Sequence, residues 1–539
     1  MVPVLQIGVL DIAFYILAIW FVFQVAKVGV SKWRGTTQTT PLRGPPNKSL
    51  WFGLYRYINE SEDSGAVYEQ WATEYGSAYK VPGGFGSSKI MIMDPKATTH
   101  FYSKETFGYV QTPLARVFIE NLFGRGLLWA EGESHRRQRK ALSPAFSNAA
   151  IRRLTSVFYD SSYKMKANWE SILDSSPGDS AVIDVQKWMN HISLDSIGIA
   201  GFGHDFGSLD GKHPSVVEVF EMIGTSNRSV FSHLVFLMGP VLPLLLKLPT
   251  GENRLFARLR ITMSEIADEL LARTRKEKEE KLAGEKTEGK SIIGLLIKAE
   301  DSGGQLQMSQ EEIMAQNVLL LAGYETTSIS LTWALIELSR KVEKQQKLRE
   351  ELSQFSGTSD PTWEQLSSGL PYLDAVVHEV LRLHPPVSET SRVATEDDII
   401  PFTTPFVTST GETTSYLTVK KGTVVSAPIR AINRSEAFWG PNAKEFEPER
   451  WLDDSDIPAK QIQGHRHILT FSDGPRICLG KGFALAEFKA ALSVLIRNYA
   501  FELPDGPGTK IEKHRSILPR PKVAGQDGAK VPLKVRRVE

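Results

Sequence analysis

The sequence predicts a mainly α-helical domain with small β-sheets, carried behind one N-terminal transmembrane helix. Three observations lead there. Apolar residues recur at helical spacing through the middle and the C-terminal third, whereas strand-like alternation is confined to short pieces near Tyr79–Met93 and Thr413–Ser426. From about residue 49 onward no Pro/Gly/Ser-rich boundary and no internal repeat divides the chain. With 539 residues, 41% of them hydrophobic, one large core can be buried. Lys plus Arg, 63, nearly equals Asp plus Glu, 62, so the basic excess of a non-specific nucleic-acid binder is missing and nucleic acid is not an expected partner. A lone cysteine excludes an intrachain disulfide framework and any multi-cysteine zinc or iron–sulfur site.

Residues 1–31 form the expected anchor. Ile12 to Val30 is interrupted only by Gln24 and Lys27 and has about the length a bilayer core demands. A cleaved signal would need a basic region before it and a small-residue cleavage site after it, and neither is present. Asp11 precedes the segment while Lys27, Lys32 and Arg34 belong to its far end, which leaves everything after residue 31 on the cytosolic face. The sequons at Asn47, Asn59, Asn227 and Asn433 then carry no meaning. Residues 32–48 are a linker that Pro45-Pro46 keeps extended and stiff, and residues 49–539 are one catalytic domain. Within it, the apolar run Phe231–Pro249 is broken by Pro240 and Pro243, so it suits an interfacial patch or a buried core segment better than a span. The charged run Arg275–Lys290 is a solvated loop.

The only thiol lies in Phe471-Ser472-Asp473-Gly474-Pro475-Arg476-Ile477-Cys478-Leu479-Gly480, directly before a helical stretch. Unpaired N–H groups and the positive end of the helix dipole there favour a thiolate. Gly474 and Gly480 leave room for a flat ligand against the backbone. A lone cysteine is ordinarily an inert core residue, but this loop resembles the haem-binding segment of the cytochrome P-450 superfamily, F-x-x-G-x-R-x-C-x-G, at every specified position. The resemblance implies the family's fold, with haem b between a long central helix and the cysteine-bearing loop. It makes Cys478 the thiolate ligand of the iron, with Phe471 beside it, and Arg476 a partner of a haem propionate.

Other segments agree in the order that family requires. Ala322-Gly323-Tyr324-Glu325-Thr326-Thr327 falls inside a helix expected from an N-cap at Ser309, with Glu312 completing a capping box, to about Lys341. A mid-helix threonine can bond the carbonyl four residues back, here Ala322, and Gly323 permits a local distortion. The resemblance assigns Thr326 to holding the iron-bound peroxo species and Glu325 to proton delivery. Glu379 and Arg382 are three apart on one helix face, and Arg450 follows in Phe446-Glu447-Pro448-Glu449-Arg450-Trp451. By resemblance these three maintain the fold and retain haem. Glu131 to Lys140 is similar to the family's W-x-x-x-R helix, with His135 in place of tryptophan and Arg139 four residues on. His135 and Arg139 share one face, and Arg136, Arg137 and Lys140 lie on another. Arg392 falls where the family often places a further propionate arginine.

Nucleotide motifs do not compete. Gly201 to Gly207 misses the last glycine of G-x-G-x-x-G, and the letter match to a phosphate loop at Gly284–Ser291 follows a charged run instead of a buried strand. The implied reaction takes O2 and two electrons from NADPH, through a separate NADPH-cytochrome P-450 reductase or with cytochrome b5, and inserts one oxygen atom into a lipophilic small molecule. A haem electron carrier or sensor, or a haem-thiolate isomerase or dehydratase, would have no use for the Glu325–Thr326 pair. Phe118, Ile119, Phe231, Val387 and Leu518 fall in the segments from which the family builds its pocket, and their apolar character suits terpenoid, steroid or fatty-acyl substrates. The F-x-P-E-R-W wording and the LRGPP hinge look like fungal microsomal members, which implies an endoplasmic-reticulum membrane, contact with lipid, and secondary metabolism.

Overall fold

The computed structural model describes residues 39–212, scattered positions between 214 and 272, and 311–538 apart from 313–314, 356–358, 454–455 and 515. The expected anchor, the run Phe231–Pro249 except Leu248, the loop Arg275–Lys290 and Ser309 lie outside the described residues. The longer described helices are α1 (Ser64–Tyr75), α2 (Pro95–Ser103), α3 (Pro113–Phe123), α4 (Gly132–Leu142), α5 (Asn148–Asp174), α6 (Val185–Ile197), α7 (Val318–Arg340), α8 (Val342–Leu352), α9 (Pro371–Leu383) and α10 (Lys481–Asn498). Side-chain oxygens placed just ahead of several of them start the helix: Asp63 accepts from the Gly65 and Ala66 N–H groups, Asp94 from Lys96 and Ala97, and Thr112 from Ala115 before Pro113.

Four helices, α5, α6, α7 and α10, pack on one another at the centre. α10 is buried on nearly all sides, with Leu492, Val494, Leu495 and Ile496 fully enclosed, each worth about 1.5–3 kcal/mol. α7 is long and apolar enough to cross a membrane, but most of it is buried in this core. Glu487 of α10 is also fully buried. Burial pushes its carboxyl well above the usual range, against the pull of hydroxyls on Ser193, Thr327 and Ser196.

A five-stranded mixed sheet has the order β1 (Ala78–Pro82), β2 (Ser88–Ile92), β8 (Val424–Ala427), β5 (Thr390–Ala394), β3 (Tyr109–Gln111), and its β3–β5 register sets Gln111 against Arg392. Three smaller sheets are β4 (Ser180–Asp184) with β12 (Pro532–Arg537) and β9 (Tyr499–Glu502), β6 (Asp398–Val407) with β7 (Thr413–Val419), and β10 (Ile511–His514) with β11 (Arg520–Val523). Strands appear in both expected regions. The sequence reading passed over β6, whose apolar residues do not alternate cleanly because the register shifts between Pro401 and Phe406.

The structure bears on the start of the central helix and on the linker. The described α7 runs from Val318, after a tighter turn over Ala315–Asn317; the expected N-cap at Ser309 lies outside the described residues, and Glu312 lies ahead of that turn. Its carboxylate is drawn across to α4, where it pairs with the Arg137 guanidinium and accepts from Gln138 Nε2 at 3.0 Å. The linker is also no free spacer from residue 39 on. The Thr40 N–H donates to the Thr418 carbonyl at 3.2 Å, the Ser409 N–H to Pro41 at 2.8 Å, and the Lys80 N–H to Arg43 at 2.9 Å, so this stretch is sewn to the β6–β7 hairpin and to β1.

Candidate active site

The cysteine loop is tied down from both sides. Asn433, fully buried, accepts the Leu469 N–H at 2.9 Å and donates to Thr470 Oγ1 at 2.9 Å, while Thr470 donates to the Leu381 carbonyl at the end of α9 at 2.7 Å. The Cys478 N–H donates to the carbonyl of buried Phe471 at 2.8 Å, which closes the loop. A Cβ on Gly474 would stand 2.3 Å from the Tyr102 carbonyl oxygen, and φ there is +63°. Close packing of two chain segments therefore demands this glycine on the side of its missing side chain. At Gly480 an added Cβ meets nothing nearer than the Phe146 ring at 3.8 Å, so the backbone is open on that side.

Cys478 sits two residues ahead of Gly480, the N-cap of α10. Its side chain is accessible at its surface yet enclosed by protein on the scale over which charge is solvated, as for a group on the wall of an internal cleft. Burial pushes the thiol up, and the Gly480 N–H, Arg139 and Lys481 pull it down by less. The helix terminus and the two cations thus favour the charged sulfur while its enclosure opposes it, and a cation bound to the sulfur would tip the balance toward thiolate.

Around the loop the structure gathers His135 and Arg139 from α4, Arg392 from β5 and Arg476. Burial and then the charges of Arg476, Arg139 and Arg392 hold the His135 imidazole down to about 3, so it is neutral and can both donate and accept. Two carboxylates that the sequence reading missed complete the cluster. Glu131 accepts from Arg476 at 2.6 Å and from the Gln111 N–H at 2.7 Å, and Glu105 lies 2.9 Å from Arg392 Nε. No motif contains Glu105; only the turn before β3 brings it here. Three guanidiniums thus face two carboxylates, and Arg476 Nε and the Trp129 indole N–H are buried with no acceptor among the described residues. This excess of donors beside a thiol and an open glycine fits an iron porphyrin with two carboxylate arms.

The Thr326 hydroxyl donates to the Ala322 carbonyl at 2.6 Å, as the spacing predicts. Ala322 is exposed and Gly323 and Thr326 half-exposed in a helix whose neighbours Leu321, Tyr324, Thr327 and Ser328 are buried, which marks one open face. The α-helical pattern is unbroken through Gly323. A Cβ there would stand 2.8 Å from Ile197 Cγ1, so the glycine serves close packing of α6 on α7 and not a distortion. Glu325, 1% exposed, accepts from Arg520 Nε and Ser516 Oγ, each at 3.2 Å, and its Oε2 has no partner among the described residues. Burial raises its carboxyl, and Arg520, Ser516 and the Leu518 N–H pull against that. Arg520 and Ser516 lie some two hundred residues downstream on and beside the β10–β11 hairpin, beyond the reach of any local pattern.

Glu379 and Arg382 are both fully buried. Arg382 donates to both Glu379 oxygens at 2.7 and 2.8 Å and to the carbonyls of Asn433, Ala443 and Glu445. Glu379 also accepts from the Glu447 N–H at 3.0 Å, Trp451 Nε1 at 2.9 Å and Arg450 Nε at 3.5 Å. Of the expected pocket residues, Ile119 is buried in α3, Phe118 beside it is exposed with its ring edge-on to Phe256, Val387 is exposed and Leu518 half-buried. Phe231 lies outside the described residues. On α4, Arg136 and Lys140 are exposed, whereas Arg137 is withdrawn into its pair with Glu312.

Comparison with known proteins gives a consistent result. The family model described as Cytochrome P-450 matches residues 43–525. The chain is 69% identical to Cytochrome P-450 monooxygenase claP and 66% identical to claQ, both from Ampulloclitocybe clavipes, each over 100% of both chains. It is 36% identical to Cytochrome P-450 monooxygenase 205 from Postia placenta over 95% of this chain and 97% of the relative.

Proposed function

The chain belongs to the cytochrome P-450 family as a haem-dependent monooxygenase, and from that premise we propose that it oxidises a lipophilic small molecule of terpenoid, steroid or fatty-acyl type at a membrane, with electrons from a separate NADPH-dependent reductase. The observation that carries this reading is the single thiol of Cys478 beside a cluster with one more guanidinium than carboxylate. Haem b, when bound, supplies the activation of O2 and its transfer to carbon. Cys478 would ligate the iron, and Arg139, Arg392, Arg476 and neutral His135 would hold the propionates.

The chain's own groups divide the remaining work. Because Thr326 gives its hydroxyl proton to Ala322, its oxygen is left as an acceptor that orients a donor, such as a water, on the open face of α7. Glu325 Oε1 is occupied by Arg520 and Ser516, so a proton on this raised carboxyl resides on the unpartnered Oε2. The pair therefore offers an acceptor at residue 326 next to a proton reservoir at residue 325. Exposed Arg136 and Lys140 would meet an acidic electron donor. For the membrane, the support is the apolar segment Ile12–Val30 and the exposed Leu50, Trp51, Tyr55 and Tyr57 that follow the linker, residue types that favour a lipid headgroup layer. The endoplasmic reticulum is the site proposed.

The reduced protein with carbon monoxide is expected to show the red-shifted Soret band of thiolate-ligated haem, and Cys478→Ser to lose it while keeping some haem. A wild-type band at the position typical of histidine ligation overturns the assignment. Ligand-induced Soret shifts across a lipophilic library then test the substrate class; shifts confined to polar compounds would refute it.

A further inference from the structure

Glu105 is 0% exposed, and its nearest charge, Arg392 Nε, lies 2.9 Å from Oε1. Among the described residues neither carboxylate oxygen accepts a well-aligned hydrogen bond, so attraction between charges is its main support. Its companion differs: Glu131 accepts from Arg476 at 2.6 Å and from the Gln111 N–H at 2.7 Å. Glu105 cannot swing out to water either. The next residue, Thr106, has φ +75° and is pinned by its N–H to the Tyr109 carbonyl and by its carbonyl to the Gly132 N–H, both at 2.9 Å. The charged and titratable groups that act on it are Arg392 from β5, Arg476 from the cysteine loop, Glu131 ahead of α4 and Tyr102 from α2, with neutral His135 beside the same arginines.

We propose that Glu105 is a proton-binding site coupled to the arginine cluster, and that it takes up one proton when one electron reaches the haem. The inference rests on the reading of Arg139, Arg392 and Arg476 as the propionate cradle. Three guanidiniums against Glu131 and Glu105 leave a single positive charge for two propionates, so one carboxylate of the four is in excess. Glu105 is the one held least by hydrogen bonds. An electron entering the site adds negative charge that buried surroundings screen poorly, and a proton from bulk water on the Glu105 oxygen compensates it. The electron comes from the one-electron donor the monooxygenase already uses; one O–H bond forms, and no other bond changes. Burial already pushes the Glu105 carboxyl up to about 7, against Arg392 and Arg476 and with help from Glu131, and negative propionates push in the same direction. The oxidised enzyme then starts to lose this proton at or above neutrality, and the reduced enzyme holds it to higher pH.

The midpoint potential of the full-length holoenzyme, measured by spectroelectrochemistry from about pH 6 to 9, is expected to fall on the alkaline side of neutrality by up to ~59 mV per pH unit. Glu105→Gln should keep the carbon monoxide band and haem retention but flatten that dependence. A slope that persists in Glu105→Gln, or a flat wild type, overturns the proposal. If the variant does not fold, the redox-difference infrared spectrum of the wild type decides: a protonated carboxylic-acid carbonyl must appear on reduction, and its absence overturns the coupling. The cradle is tested apart from Glu105 by transfer of haem to apomyoglobin. Arg139→Ala and Arg476→Ala should each speed it several-fold, and unchanged rates would overturn the cradle itself.

Discussion

Arg382→Met removes a cation from a site with no access to water, and the structure bounds the cost. Losing one partner of a buried pair costs about 3–5 kcal/mol, because the other charge is left enclosed. Here the lower half applies to the charge itself, since Arg450, Trp451 and the Glu447 N–H still hold Glu379. The carbonyls of Asn433, Ala443 and Glu445 lose their donor as well, at about 1 kcal/mol for each that finds no water. With all three carbonyls left without a donor the expected total is about 6 kcal/mol, or more than roughly ten-thousandfold in the ratio of folded to unfolded chain. Arg382→Lys keeps the charge but replaces a fork by a point, and should cost about half as much. Adding Glu379→Leu to Arg382→Met removes the stranded charge, so the double variant should be no less stable than Arg382→Met alone. Urea titration followed by far-UV circular dichroism and by the Soret band measures this as a midpoint shift at unchanged slope. Methionine with a wild-type midpoint, or lysine as costly as methionine, would refute the reasoning.

Three further outcomes are expected. Thr326→Ala should bind substrate and consume NADPH but divert much of the flux to hydrogen peroxide, while Glu325→Gln should slow turnover about a hundredfold; unchanged coupling and rate would remove the pair from the chemistry. In the haem-free protein His135 lies at about 3 in the fold against about 6.5 unfolded, so the unfolded chain alone gains this proton as pH drops between those values. Stability should therefore fall on acidification through that window, and His135→Gln should lose that share of the slope in acid-unfolding curves; an identical slope would contradict the burial of a neutral imidazole. Reversing Arg136 and Lys140 to glutamate should slow the first electron transfer and flatten its salt dependence, with the carbon monoxide spectrum kept; stopped-flow reduction at two ionic strengths checks it, and an unchanged rate would place the docking surface elsewhere.

What could be read from the sequence was whatever depends on short-range order. Helical periodicity gave α7 and α10, and the fixed offsets around Cys478, Thr326 and Glu379–Arg382 gave residues that the structure places on a loop end, an open helix face and a buried ion pair. Long-range contacts were not legible. Arg520 reaches Glu325 only because β10 and β11 form a hairpin over α7, and Glu105 meets Arg392 only through the β3–β5 register. Glu487 looks like a surface residue on a helix until α6 and α7 cover it. The same holds for Gly323 and Gly474: a glycine's need for space is visible in sequence, but the atom that claims the space, Ile197 Cγ1 or the Tyr102 carbonyl oxygen, is not.

Thr40 and Pro41 act as a short third edge on the β6–β7 ribbon, with Thr40 giving and taking bonds at Thr418 and Pro41 accepting from Ser409. That ribbon carries Ile399, Val407 and Tyr416 on its outside. For anyone trimming the gene to obtain a water-soluble enzyme, the cut site decides more than whether the apolar leader is removed. A start after Pro45 would strip this cover and leave backbone donors and acceptors free beside three large apolar side chains, an invitation to strand-to-strand aggregation. A start at or before residue 39 keeps the ribbon sealed, so recovery from inclusion bodies should change abruptly between these two starting points and gradually on either side of them.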